Sequence, residues 1–329
     1  MNEHALVAAR AELQPLLELT ERIGSDPLLT QGSTGNSSIK LDGILWIKAS
    51  GRWMADALRD DILIPLNLSE VTECLRRGID PAERYPSASL ETAMHAALPH
   101  RIVLHVHCVN TIAWAVRSDA PIHLQSRLDS FAWQWIPYVA SGLPLSRETE
   151  RALSARPDAC VFALGNHGLV VAGDDTQTVE ALLTEVRACL EVAPRQAHPA
   201  DYAVLLEICR RSSCWNLPDD DALHTLGTDP ISRSIFTGGL LYPCQAIFSD
   251  CRSGNRPFMI IEGRGVVVST SITSTELAML SGLVQVIQRL SPSSPLRYLT
   301  EAEVTATSTH ITDRYWKLAS ASRLASSRR

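Results

Sequence analysis

An α/β protein with a smaller α+β portion at its C-terminal end is predicted by three features of this sequence. Apolar residues switch repeatedly between helical spacing and short continuous runs of strand length. The turn pair Asp42-Gly43 separates two such runs, as in a hairpin. The texture changes around residues 193–201, where Pro194 and Pro199 interrupt the pattern. A boundary is placed there, giving portions 1–198 and 199–318 and a Ser/Arg-rich end, 319–329, expected to fray.

The elements follow in order. Leu6, Leu13, Leu16, Leu17 and Leu19 predict an amphipathic helix over 3–24, closed by Gly24. Residues 39–41 and 44–48 form the hairpin, 62–66 a strand, and 67–78 a short helix. A helix over 86–98, capped by a serine, would place Glu91 and His95 on one face, and Pro99 ends it. A strand at 101–107 precedes a helix at 110–116 and a strand-like, aromatic-rich stretch at 131–140. A helix at 146–155 leads to strands 160–164 and 169–172, turned by Gly165-Asn166-His167-Gly168. Asp174-Asp175-Thr176 caps a long helix running to about Val192. The C-terminal portion offers helices at 202–211, 273–290 and after Thr300, and strands 258–262 and 265–270. Its one site-like stretch is Gly238-Gly239-Leu240-Leu241-Tyr242-Pro243-Cys244.

Composition narrows the function classes. With 45% hydrophobic residues the chain can build a substantial core. Its 30 basic and 36 acidic residues are spread along the chain, so no basic stripe points to nucleic acid. No apolar run approaches membrane-span length, and the N-terminus lacks a signal-peptide pattern, so a cytoplasmic location is expected. Eight scattered cysteines without a Cys-x-x-Cys pair are expected to be reduced, with Cys108 a buried apolar residue. Trp133 and Trp135 share a strand face and suit a core or subunit interface; His100 and His123 suit structural roles.

The chemistry concentrates at His105-Val106-His107. Side chains two apart on a strand leave the same face, with Cα atoms roughly 6.5–7 Å apart, so both imidazoles can reach one ion. A catalytic zinc takes three protein ligands and keeps one position open. Two Gly/Ser loops flank the hairpin: Gly32-Ser33-Thr34-Gly35-Asn36-Ser37-Ser38 and Ala49-Ser50-Gly51. With Lys48 and Arg52 beside them, they suit an anion such as a phosphate.

In its order of motifs, from the Gly32 loop through Ser89-x-Glu91-Thr92-x-x-His95 and His105-x-His107 to His167-Gly168-Leu169, the chain resembles the class II aldolase/adducin family of zinc-dependent sugar-phosphate aldolases. The likeness covers residues 13–192. Its wording is most similar to the aldolase half of bifunctional rhamnulose-phosphate aldolase/alcohol dehydrogenases, through Ser-x-Glu-Thr, Lys48-Ala49-Ser50-Gly51 and Gly239-Leu240-Leu241-Tyr242-Pro243. The dehydrogenase half is missing, and without a Gly-x-Gly-x-x-Gly a nicotinamide cofactor is not implied. The resemblance implies a three-layer α/β/α fold around a mainly antiparallel sheet. It implies zinc on His105, His107 and His167, Glu91 as acid/base, and phosphate near Gly35, Asn36, Ser50, Gly51 and Ser89. It further implies a homotetramer with sites near subunit interfaces, and cleavage of a ketose 1-phosphate to dihydroxyacetone phosphate and an aldehyde. A carboxylate moving the C3 proton works best with its pKa raised towards neutrality, which burial over the metal pocket would achieve.

Two departures bear on the substrate. Leu90 stands where fuculose-type members carry a serine, and no tyrosine lies near His123-Leu124 to protonate the leaving aldehyde. Tyr138 aligns instead with a structural Pro-Tyr. Rival readings are a metal-dependent sugar-phosphate dehydratase or 4-epimerase, an enzyme for an unphosphorylated or acidic substrate, and an adducin-like binding module. Family epimerases carry aspartate in place of Glu91, and an adducin-like protein would not need all three histidines.

Overall fold

A computed structural model describes residues 3–248 and 257–307; the end at 319–329 and Cys251 lie outside the described residues. The N-terminal part runs α1 (Glu3–Gly24), β1 (Asn36–Leu41), β2 (Ile44–Lys48), β3 (Leu63–Asn67), α2 (Leu68–Arg76), α3 (Pro81–Arg84), α4 (Thr92–Ala97) and β4 (Ile102–Val106). It continues with α5 (Val109–Ala115), α6 (Ala120–Arg127), β5 (Trp133–Ile136), α7 (Leu143–Ala155), β6 (Val161–Leu164), β7 (Gly168–Gly173) and α8 (Thr176–Cys189). The seven strands form one sheet in the order β3-β2-β1-β4-β7-β6-β5. Every neighbouring pair is antiparallel except β5 and β6. The β1–β2 turn has φ 48° at Asp42 and φ 75° at Gly43, the doubly positive geometry that suits a tight hairpin to the strand twist.

Alternation along the strands makes three layers. Ile102, Leu104 and Val106 of β4, with Leu169 and Val171 of β7, pack against Leu16 and Leu19 of α1 and Val179, Leu183 and Val186 of α8. Val103, Phe162, Val170 and Ala172 face the other way, onto Met94 of α4 and Leu145 and Ala152 of α7. His105 has the parity of Val103, so its imidazole leaves the sheet on the α4 side. Leu45 and Ile47 of β2 pack with Val71 of α2 in a smaller cluster.

The helix expected over 86–98 is only α4. Pro86 begins a turn, Ala88 makes an antiparallel bridge to Ala49, and the N-cap is Glu91, without a side-chain cap bond. Ser89 does not cap it. Its Oγ accepts the Glu91 N–H at 3.1 Å, and its carbonyl accepts the Thr92 hydroxyl at 2.7 Å. The bridge to Ala49 holds the chain extended where local propensity favours helix.

The C-terminal part comprises α9 (Tyr202–Arg211), β8 (Trp215–Asn216), α10 (Thr225–Thr228), α11 (Pro230–Thr237), β9 (Phe258–Ile261), β10 (Gly265–Ser269), α12 (Ser274–Gln288) and α13 (Glu301–Thr307). Strands β8, β10 and β9 form a small antiparallel sheet, and Thr273 with Glu276 closes a capping box on α12. The apolar cluster of this part includes Val109, Ile112, Ala113 and Val116, so it shares a core with α5. Among the described residues no helix is long and apolar enough to cross a membrane.

Candidate metal centre

The site lies where β4 ends. His105 is the penultimate residue of β4 and His107 follows the strand directly, while His167 sits in the turn that begins β7. β7 pairs with β4 in the register Val106↔Leu169 and His105↔Val170, which brings His167 beside the other two. That approach requires glycine at 168, because a Cβ there would stand 2.5 Å from the Val106 carbonyl oxygen. All three imidazoles are nearly enclosed, at 0%, 5% and 5% exposure for His105, His107 and His167. Their ring centroids are 4.9–5.2 Å apart.

The donor set suits a divalent transition metal. One ligand atom from each histidine lies within 4.8 Å of the others. The Nε2 atoms of His105 and His107 are 3.1 Å apart. Nitrogens ~2.0–2.1 Å from a tetrahedral ion stand roughly 3.3 Å from each other, so the spacing fits. His105 Nδ1–H donates to the Leu169 carbonyl at 3.1 Å, which leaves its Nε2 lone pair facing the centre. Burial pushes the His105 imidazole down to about 4 and His107 well below the usual histidine range, and it is the neutral form of an imidazole that can bind a metal.

Glu91 stands over this centre. Its Oε1 is 2.9 Å from His167 Nε2, 3.5 Å from His105 Nε2 and 3.5 Å from Ser141 Oγ, and its Oε2 accepts a short hydrogen bond from the Asn36 amide. Asn36 is placed for this by pairing directly with His105 across β1 and β4. The expected rise in the Glu91 pKa is not observed. Burial raises it, but His105, the hydrogen bond from His167, and His107 outweigh burial and hold the carboxyl well below its usual range. Glu91 is therefore ionised and poised as a base.

The anion-loop residues are also drawn together. Gly35 (φ 74°) turns the chain into Asn36, and a Cβ there would stand 3.0 Å from the His105 carbonyl. Ser50 N–H donates to the Ser87 carbonyl at 2.9 Å, which seats Ser50-Gly51 against the Ser87–Ser89 turn. Lys48 is 1% exposed, and its ammonium donates to the carbonyls of Ser33 (3.1 Å), Ala49 (3.4 Å) and Arg52 (2.6 Å). It ties the two loops together rather than facing an open anion site. Burial brings its pKa down to about 7. Asn36 likewise gives its amide to Glu91 instead of to a loop. His95 is fully buried, with Nδ1 2.7 Å from Ser38 Oγ, a packing role. Tyr138 reaches Thr307, 3.1 Å away, and not Glu91.

Two participants carry little sequence signal. Ser141 lies in an irregular stretch before α7. Cys244 belongs to the site-like stretch of the C-terminal part, and its Sγ is 3.4 Å from His107 Nδ1.

Residues 15–193 match the family described as Class II Aldolase and Adducin N-terminal domain, more than half of the chain. The chain belongs to this family. Class II aldolases are typically metal-dependent, and the enclosed His105/His107/His167 cluster could hold a metal ion. A curated relative, the uncharacterized oxidoreductase YuxG of Bacillus subtilis (strain 168), is 25% identical over 188 residues, 50% of this class II aldolase-family chain and 27% of that protein. The chain thus spans about a quarter of that relative's length. Among solved structures, the N-terminal class II aldolase domain of a Thermoplasma acidophilum protein is 20% identical, covering 54% of this chain and 90% of that one, with TM-score 0.47. L-fuculose-1-phosphate aldolase from Thermus thermophilus is 18% identical, covering 60% and 96%, with TM-score 0.38.

Proposed function

We propose that this chain is a zinc-dependent aldehyde-lyase that cleaves a ketose 1-phosphate to dihydroxyacetone phosphate and an aldehyde. The observation that carries the reading is the Glu91 carboxyl group held 2.9 Å from one histidine of an enclosed three-histidine cluster. His105, His107 and His167 would hold the ion, which would supply Lewis-acid charge to offset the negative charge that develops as the C3–C4 bond breaks.

The chain's own residues do the rest. In the condensation direction Glu91 takes the C3 proton of dihydroxyacetone phosphate, and the C3 electrons attack the aldehyde carbon. In cleavage the Glu91 carboxylate takes the C4 hydroxyl proton, the C4 oxygen forms the aldehyde carbonyl as the C3–C4 pair moves to C3, and the Glu91 carboxyl then gives that proton to C3. Asn36 fixes the carboxylate through Oε2, leaving Oε1 to face the histidine cluster. The Gly35, Ser50-Gly51 and Ser89 backbone and hydroxyls are the proposed phosphate cradle, held in register by Lys48 and the Ala49–Ala88 bridge. A homotetramer with sites near subunit interfaces is the assembly we propose, and light scattering on the eluting protein tests it.

Elemental analysis of protein purified without an affinity-metal step, paired with His105→Ala, is the deciding experiment. About one zinc per chain, absent from the variant, together with dihydroxyacetone phosphate released from a panel of ketose 1-phosphates, is expected. Metal without retro-aldol turnover would favour the dehydratase or epimerase reading. A folded, metal-free wild type unaffected by chelator would favour the adducin-like module.

A further inference from the structure

Among the described residues the C-terminal part contributes no metal-ligating histidine to the centre, yet it touches His107 and the neighbour of His167. We propose that this part is the rear wall of the metal centre, with Cys244 positioning His107 and Arg297, through Asn166, positioning His167. The inference rests on the metal reading of the triad.

Three contacts carry it. An imidazole that binds an ion through Nε2 must keep its proton on Nδ1, and what accepts that proton fixes the ring's tautomer and rotation. For His105 the acceptor is the Leu169 carbonyl, supplied by the sheet itself. For His107 the group facing Nδ1 is Cys244 Sγ at 3.4 Å, at the start of a 3₁₀ turn over Pro243–Phe248. The thiol sulfur carries a lone pair that can accept the Nδ1 proton of a ring bound to an ion through Nε2.

His167 is held through its neighbour. Asn166 is 1% exposed and adopts φ 49°, a left-handed conformation that sets the direction in which the next residue leaves the turn. Its amide nitrogen donates to the Leu241 carbonyl at 2.8 Å and the Arg297 carbonyl at 2.7 Å, and its Oδ1 accepts from Arg297 Nη1 at 3.0 Å. Arg297 is itself held by Glu303 Oε1 at 2.5 Å and lies 5.4 Å from the Tyr138 ring centre. Every side-chain polar atom of Asn166 is thus engaged by the C-terminal part. The third contact reaches the His107 main chain: Gln31 Nε2 donates to the His107 carbonyl at 3.2 Å. Gln31 is wedged against α12, where a Cβ on Gly282 would stand 2.4 Å from its Cγ.

The test uses the full chain loaded with cobalt, whose visible spectrum reports ligand geometry, and measures affinity by competition with a chelating indicator. Cys244→Ala and Arg297→Ala should each weaken cobalt binding by about 10–100-fold and shift the visible bands. Cys244→Ser, which keeps an acceptor facing Nδ1, should restore most of the affinity. Tyr298→Phe removes a hydrogen bond to the Ile235 carbonyl inside the C-terminal part, away from the triad, and should bind as wild type. If Arg297→Ala fails to fold, the two Cys244 variants decide. Wild-type affinity and spectrum in Cys244→Ala, with cobalt lost in His105→Ala, would overturn the rear-wall role and leave the metal site standing. Cobalt retained by His105→Ala would overturn the metal reading and this inference with it.

Discussion

Glu91 Oε1 and His167 Nε2 are 2.9 Å apart, and both are enclosed. The carboxylate therefore lies directly against the cluster, where the proposed chemistry needs a proton carrier. Glu91→Gln keeps the side-chain shape and removes the proton carrier. It should lower kcat by about 10²–10⁴-fold while the chain still binds one metal ion. Steady-state kinetics with metal analysis on the same preparation check this, and a variant with near wild-type kcat would remove Glu91 from the chemistry.

Asn36→Ala tests the support of that carboxylate. The amide that holds Oε2 would be gone, leaving a buried acceptor to be met by water or left unpaired, at a cost of about 1–3 kcal/mol. kcat should fall by less than in Glu91→Gln, with the KM for a phosphorylated substrate little changed. A KM rise with kcat intact would instead return Asn36 to the phosphate-binding role implied by the loop resemblance.

The three clustered histidines were legible because each carries a local pattern: two at strand spacing, and a third in a Gly-rich turn between apolar runs. Glu91 was legible from its surrounding motif, though not from its element. The stretch around it is short of helix because the Ala49–Ala88 bridge, a contact between distant segments, overrides propensity. Lys48 shows the same limit. Beside Ser50-Gly51 a lysine suggests an anion ligand, and only the fold reveals three carbonyls around its ammonium. Cys244 and Arg297 meet the centre across separations of more than a hundred residues, which no local periodicity encodes. Helices α6 and α11 went unread because Pro121 and Pro230, which sit at their first turns, resemble breakers when seen in sequence alone.

His95 predicts an acid limb of stability. Burial pulls its pKa from 6.5 to about 3. Between those values the unfolded chain holds a proton that the folded chain does not, so stability is full above 6.5 and falls as the pH drops towards about 3. In metal-free protein, wild type should lose up to about 1.4 kcal/mol per pH unit more than His95→Asn across this window. Urea titrations at a series of pH values give both slopes, and parallel slopes would show that His95 is not buried neutral.

Lys48 works in the opposite window. Its folded value of about 7 lies below its unfolded 10.5, so between them the unfolded chain binds the extra proton. The desolvation cost is full below about 7, and stability rises with pH up to about 10.5. Lys48→Met retains much of the stem and removes both the titration and the three hydrogen bonds that join the Gly32 loop to the Ser50 loop. Near neutral pH relief of the desolvation cost opposes the loss of the bonds, and the alkaline rise of wild type should flatten in the variant. Because the side chain holds the loops and not the ion, the variant should keep its metal while KM for a phosphorylated substrate rises. Metal loss with KM unchanged would mean that the two loops support the histidines and take no part in holding the phosphate.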